Sequence, residues 1–213
     1  MSNNAIEPPY WTPLALGRLT LQVASDYLMS AANRIRICTV PAVAQRFADQ
    51  FDAMLPTPQL VDIIHGRADV KLHMHGLSPN PHETRGAERL CTLSNYLINA
   101  DIAKATGLAV EDLIHFTGLV TGHKKDIVIG KKLGINPKAV VIYGGWGERG
   151  VVQPYFAGHG DFYYDYSHGI RLVQKTCMLD GKPARLDEVL QGPDAHLVSS
   201  EGPLSPQDIR YHL

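Results

Sequence analysis

Two short runs of apolar residues constrain the fold of this chain more than any other feature. They are IVI at 127–129 and VVIY at 140–143, and the loop between them contains glycine and proline. Apolar runs of this length between turn residues are typical of strands buried on both faces. The segment GGWG at 144–147 predicts a turn into a further strand at 151–156, which would pair with 140–143 as a hairpin. We therefore expect a sheet with a buried centre in the C-terminal half.

Helical patterns are concentrated in the N-terminal half. A proline in the first turn predicts the start of two helices, and spaced leucines predict a third. The predicted helices cover 42–54, 57–68 and 87–105, and further strands are predicted at 19–23 and 170–178. Asp180-Gly181 is a tight-turn signal at the end of the last strand. The predicted fold class is α+β, with helices mainly in the N-terminal half and a mainly antiparallel sheet in the C-terminal half.

The length of 213 residues and the hydrophobic content of 45% predict one α+β domain, spanning 18–213, after an extended arm at 1–17. The charges are balanced, with 20 basic and 21 acidic residues, so we expect no nucleic acid partner. The chain has no membrane-span or signal-like segment, so we expect no membrane partner and, by default, a cytoplasmic location, with secretion left open. Three widely spaced cysteines argue against a disulfide framework. No oligomeric state is indicated.

The segment AGHGDFYYDYSHGIR at 157–171 concentrates side chains that titrate or donate near neutral pH. It contains two histidines, two aspartates, three tyrosines, a serine and an arginine, together with three glycines. Glycine gives the backbone freedom to direct neighbouring side chains, and histidine exchanges protons near neutral pH. We therefore predict that this segment forms the functional site.

These residue types, with those of GHKKD at 122–126, predict a hydrolase acting on a polar substrate with a carbonyl group. The substrate would be a small molecule, a peptide or a glycan, with an amide or ester bond. A histidine oriented by a carboxylate serves as a general base, and cationic side chains stabilise developing negative charge. The predicted catalytic residues are His159, His168, Asp165, Ser167 and Asp126. The predicted substrate-binding residues are Lys125, Arg171, Trp146, Gln153 and Tyr166.

Within this hypothesis the base is His168 or His159, and Asp165 or Asp126 orients it. Ser167 would supply a hydroxyl nucleophile. Because Ser167 and His168 are adjacent and would point to opposite faces of a strand, His159 is the better base for that hydroxyl. The hydrolase needs no cofactor.

A zinc-dependent hydrolase is the first alternative. His159, Asp165 and His168 would be the metal ligands, with help from the HMH sequence at 73–75. Two histidines separated by one residue lie on the same face of a strand, as a zinc site requires.

A cysteine nucleophile is the second alternative. Cys91 lies near the start of a predicted helix, where the helix dipole lowers a thiol pKa, and His159 or His168 would be its base. Papain-like and cell-wall amidase folds also have a cysteine on a helix followed by a histidine on a strand. The residues that flank Cys91 do not match those families, and its apolar neighbours favour a buried structural cysteine.

A binding module without catalysis is the third alternative. Trp146 and the tyrosines at 163, 164 and 166 would form an aromatic platform for a carbohydrate or a peptide. A surface loop that merely contains histidines would account for the same composition.

Several segments resemble an uncharacterised bacterial protein family with GHKKDIV-like and DYSHGIRLV motifs. They are LPTPQLVD (55–62), ADVKL (68–72), GHKKDIV (122–128), AVVIYGGW (139–146), and VQP followed by DYSHGIRLV (165–173). The resemblance spans most of residues 19–202 and implies no activity. It groups Lys125, Asp126, Gln153, His159, Asp165, Ser167, His168 and Arg171. Cys91 and the HMH sequence lie outside the family pattern, which favours the histidine and aspartate site.

Overall fold

The computed structural model describes residues 6–78 and 86–212. The strands are β1 (Trp11–Leu16), β2 (Leu19–Ala24), β3 (Ala53–Met54), β4 (Val70–Lys71), β5 (Val120–Thr121), β6 (Lys125–Ile127), β7 (Ala139–Gly147), β8 (Gly150–Gly160), β9 (His168–Gly169), β10 (Val173–Gln174), β11 (Thr176–Leu179) and β12 (Lys182–Arg185). The helices are α1 (Pro41–Gln50), α2 (Pro58–Arg67), α3 (Gly86–Thr106), α4 (Lys131–Ile135) and α5 (Leu186–Gln191). Two short 3-10 helices cover Val110–His115 and Pro193–Leu197.

A six-stranded antiparallel sheet joins the two ends of the chain. Its order is β12-β11-β2-β10-β3, and β1 pairs with β2 beside this path. Leu19, Leu21 and Val23 are completely buried, as their alternation predicts. The predicted arm at 1–17 forms β1 from residue 11 onward, whereas residues 1–5 lie outside the described part of the chain. Three strands of this sheet come from the N-terminal half, whereas the other three and the second sheet lie in the C-terminal half, in rough agreement with the predicted placement.

A four-stranded sheet with the order β8-β7-β6-β9 carries most of the predicted site. The predicted hairpin is confirmed as β7 and β8, but the chain turns only after Gly147. Gly144 and Gly145 remain in β7, where their positive φ values of 99° and 61° accompany a shift in register. Strand β9 is parallel to β6, so the sheet is mixed, and this pairing sets Lys125 beside His168.

The helices agree with the predicted ones in position, with shorter C-terminal ends in the first two. Helix α2 begins at a proline, and the Thr57 hydroxyl accepts a hydrogen bond from the backbone N–H of Leu60 at 3.2 Å. Helix α1 ends at Gln50, because Ala53 and Met54 instead form β3 against β10. The structure thus contains both helices and strands, as the α+β prediction requires. In the described ranges, no helix is both long and apolar enough to cross a membrane.

Candidate functional site

The loop before β9 brings four of the predicted catalytic and binding residues together. The Asp165 carboxylate lies 3.9 Å from Lys125 Nζ and 4.0 Å from His168 Nε2. The exposed His159 ring stacks on Tyr163 with 4.0 Å between ring centroids, and Tyr163 meets the edge of His168 at 5.8 Å. The pairing of β6 with β9 and the length of β8 produce this arrangement.

Ser167 holds the Asp165 carboxylate in place. Its backbone N–H donates to Asp165 Oδ1 at 2.7 Å, and its buried hydroxyl donates to the same oxygen. Burial raises the pKa of Asp165, but His168, Ser167 and Lys125 outweigh burial, and the net pKa lies below its ordinary value. Among the described residues, no histidine contacts this hydroxyl to activate it as a nucleophile, so we do not retain that role.

His168 is a buried imidazole without a hydrogen-bond partner among the described residues. Its side chain is 0% exposed, and both ring nitrogens lack a partner. Burial lowers its pKa to about 4, although Asp165 acts in the opposite direction. The ring is therefore neutral at pH 7, and it lies in the interior with a nitrogen lone pair that accepts no hydrogen bond from the described residues.

Asp126 and Arg171 lie on the other side of β6 and do not join this group. The Tyr27 hydroxyl donates to Asp126 at 2.8 Å, and Arg171 Nε lies 3.9 Å from the same carboxylate. Arg171 donates to the carbonyls of Ala24 at 2.8 Å and Val120 at 2.7 Å. Burial raises the pKa of Asp126 to about 6. This interior pair connects β6 and the segment after β9 to β2 and β5, and it is inaccessible to a substrate.

Trp146 and Gln153 also lie away from the group. Trp146 is 9% exposed and stacks on His65, with 3.8 Å between the ring centroids. The Gln153 amide donates to the carbonyl of Pro154 at 3.1 Å. Because Trp146 packs into the core, it does not extend an aromatic platform formed by the exposed tyrosines of the loop.

Tyr166 anchors the loop to the segment after β4. Its hydroxyl donates to the carbonyl of His75 at 3.0 Å and accepts from the N–H of Leu77 at 2.6 Å. The His75 ring pairs with Asp101 at 2.7 Å. Across residues 6–78 and 86–212, no three histidine, cysteine, aspartate or glutamate side chains are arranged to hold a metal ion.

Two cysteines and a buried lysine adjoin the same loop, and we call Cys38, Cys91 and Lys124 the thiol cluster. Lys124 Nζ lies 3.6 Å from Cys38 Sγ and also donates to the carbonyl of Tyr166. The Cys91 thiol and then Lys124 favour the Cys38 thiolate over the opposing effect of burial, and the pKa of Cys38 falls to about 7. The neighbouring Cys38 and burial raise the pKa of Cys91 instead.

The thiol cluster borders a pocket that opens to solvent. Cys38 and Cys91 line this space of about 400 Å³, together with Arg36, Glu88 and Tyr164. It lies between residues 30–38, helix α3 and the loop before β9. Lys124 links the thiol cluster to the loop, because its ammonium donates to the carbonyl of Tyr166.

The sequence carried one overlooked signal for the thiol cluster. The two lysines of GHKKD directly precede an apolar run that predicts a strand buried on both faces, so a buried lysine could have been expected at this point. That residue is Lys124, which is 1% exposed, whereas Lys125 faces Asp165. Cys38 lies in the segment 35–40, where the alternation of Ile35 and Ile37 with Arg36 predicts a strand that the structure does not form, and nothing in the sequence relates it to Cys91.

A second cavity of about 330 Å³ lies beside a buried polar network that sequence analysis missed. Asp26 accepts from Arg36 Nη2 at 2.6 Å and lies 3.2 Å from His123 Nε2. Burial raises the pKa of Asp26, but Arg36 and His123 outweigh burial and hold it far below its ordinary value. Burial lowers the pKa of His123 to about 4. These contacts fix the loop after β2, and the buried His123 Nδ1 has no hydrogen-bond partner among the described residues.

Comparison of the chain with protein-family models, with curated proteins and with solved structures finds no match. The resemblance of its motifs to an uncharacterised bacterial family remains a prediction.

Proposed function

We propose that this protein is a hydrolase that cleaves an amide or ester bond of a polar substrate and that Cys38 is its nucleophile. The observation that carries the proposal is the contact of 3.6 Å between Cys38 Sγ and the ammonium of buried Lys124, at the wall of an open pocket. A thiolate is the reactive form of cysteine, and a neighbouring cation stabilises it. This assignment replaces Ser167 as nucleophile and keeps the predicted substrate class.

Lys124 supplies the proton that the leaving group needs. The Cys38 thiolate attacks the carbonyl carbon, a sulfur–carbon bond forms, and an electron pair moves to the oxygen. On collapse, the amine or alcohol departs with a proton from the Lys124 ammonium, and a thioester remains. Burial lowers the pKa of Lys124 from its ordinary value of 10.5, which makes this proton easier to transfer.

His168 is the proposed proton acceptor for the second half of the reaction. Water adds to the thioester, the acid product leaves, and the thiolate is restored. The neutral His168 ring takes the proton from this water and passes it to the Lys124 amine. The support for this role is the unpartnered imidazole, which is neutral at pH 7 and so able to accept a proton. Asp165 stabilises the imidazolium during the transfer, and Lys125 stabilises the negative charge on the carbonyl oxygen.

Turnover of a panel of peptide amides and p-nitrophenyl esters tests the proposal. Cys38→Ser should lower kcat/KM by about 10³-fold or more, because serine is not ionised beside Lys124. Cys177→Ser is the matched control, since Cys177 lies in β11 outside the pocket, and it should retain the parent activity. Parent-like turnover by Cys38→Ser, or no turnover of any substrate by the parent protein, would overturn the assignment.

Trapping of the acyl-enzyme separates the roles of Cys38 and His168. We expect His168→Phe to accumulate a thioester on Cys38, detected by peptide mass spectrometry after an acid quench, because acylation proceeds and hydrolysis does not. If His168→Phe turns over substrate at the parent rate, His168 is not the proton acceptor. An acyl group found only on Cys91 would move the nucleophile to that residue.

A further inference from the structure

The pocket contains a second thiol that the proposed hydrolysis does not use. Cys91 projects from α3 and lines the same pocket as Cys38, which belongs to the segment before α1. Both thiols are free, and they interact closely enough to alter each other's protonation. The third cysteine, Cys177, is buried in β11.

The two thiols differ as an attacking and a resolving thiol must differ. Cys38 lies beside the Lys124 ammonium at 3.6 Å, which favours its thiolate. Cys91 has no such contact in the described part of the chain and stays protonated next to it. Reactive cysteines are thiolates in partly accessible cationic surroundings, often with a second cysteine nearby.

From this arrangement we infer that Cys38 and Cys91 form a dithiol site that hydroperoxides oxidise to a reversible disulfide. The inference names the regulation of the proposed hydrolase and in that respect rests on it, because a Cys38 held in a disulfide cannot attack a carbonyl. The oxidation itself needs only the two thiols, Lys124 and the pocket.

The chemistry requires a hydroperoxide as the oxidant. The Cys38 thiolate attacks the terminal peroxide oxygen, the O–O bond breaks, and an alcohol or water leaves after taking up a proton. Cys38 is now a sulfenic acid. The Cys91 sulfur attacks the Cys38 sulfur, the S–OH bond breaks, and water leaves with the Cys91 proton. Two thiols lose two electrons in total, and the peroxide gains them. A small thiol reductant reverses the bond.

The experiment treats the reduced full-length protein with hydrogen peroxide, without substrate, and follows mass and free thiols. We expect a mass lower by two hydrogen atoms, one free thiol remaining of three, and a Cys38–Cys91 cross-linked peptide that dithiothreitol releases. Cys91→Ser should instead give a sulfenic acid at Cys38 that dimedone traps. Cys177→Ser is the control and should form the cross-link like the parent.

Three free thiols after treatment, a cross-link that involves Cys177, or oxidation without any cross-link would overturn the inference. The hydrolase proposal fails separately. A protein that forms the disulfide but hydrolyses no panel substrate would contradict the hydrolase and keep the dithiol site. If instead Cys38-dependent turnover survives peroxide and no cross-link forms, the dithiol site is contradicted and the hydrolase is kept.

Discussion

Replacing His168 should weaken the dependence of stability on pH. His168 has a pKa of about 4 in the folded protein, against an ordinary value of 6.5. Above pH 6.5 the ring is neutral in both states, and its contribution to stability is complete. As the pH falls below 6.5, this histidine binds a proton in the unfolded chain but stays neutral in the folded protein, so the free energy of unfolding falls. Integrated from pH 7 to pH 5, this loss is about 2 kcal/mol for one histidine.

The variant His168→Phe removes this contribution while keeping a ring beside Tyr163. Its stability at pH 7 should change by less than about 1.5 kcal/mol, because the removal of two unpartnered buried nitrogens offsets the cost of fitting a somewhat larger ring. Urea unfolding at pH 7 and pH 5 should show that the variant loses about 2 kcal/mol less than the parent. Tyr163→Phe is the control, since it leaves His168 in place and should keep the parent dependence. Equal losses in parent and His168→Phe would refute the reasoning.

Two further predictions concern the interior beside the site. Gly169→Ala should destabilise the protein by about 1–3 kcal/mol in urea unfolding, because a Cβ there would lie 2.4 Å from the Tyr27 ring. Gly66 lies in α2 with open space around it, so Gly66→Ala should instead stabilise the protein by about 0.5–1 kcal/mol. A Gly66→Ala variant less stable than Gly169→Ala would contradict this explanation. Arg171→Met should cost about 3–5 kcal/mol, because it leaves Asp126 buried and without its cation. Asp126→Asn, which keeps the Tyr27 contact, should cost less, and a larger loss for Asp126→Asn would count against the pairing.

Local patterns in the sequence predicted the elements better than their assembly. The alternation at 19–23, the proline-started α2 and the Asp180-Gly181 turn are all present, the last with positive φ values of 51° and 74°. The pairing of β2 with β10 and β11 was not predictable, because it joins segments about 150 residues apart and leaves no local signal. The order of the strands in the sheet therefore depends on long-range contacts and could not be predicted from local sequence.

The candidate site likewise contains some residues that the sequence predicted and others that it did not. Lys125, Asp165, His159 and His168 come together because β6, β8 and β9 belong to one sheet, and their residue types were a sufficient guide. Asp126 looked equivalent to Asp165 in sequence, yet the alternation along β6 sends it to the opposite side from Lys125. Cys38 was missed because only the tertiary fold brings its segment, which the sequence predicts as a strand, against α3 and a buried lysine.

The reaction of Cys38 with iodoacetamide as a function of pH tests most directly whether Lys124 maintains a thiolate in the pocket. The rate at Cys38, followed by peptide mass spectrometry, should reach half of its maximum near pH 7 in the parent protein. In Lys124→Met the midpoint should rise by at least about one pH unit, toward the ordinary thiol range. A Cys38 midpoint above pH 8.5 in the parent, or the same midpoint in both proteins, would contradict the account.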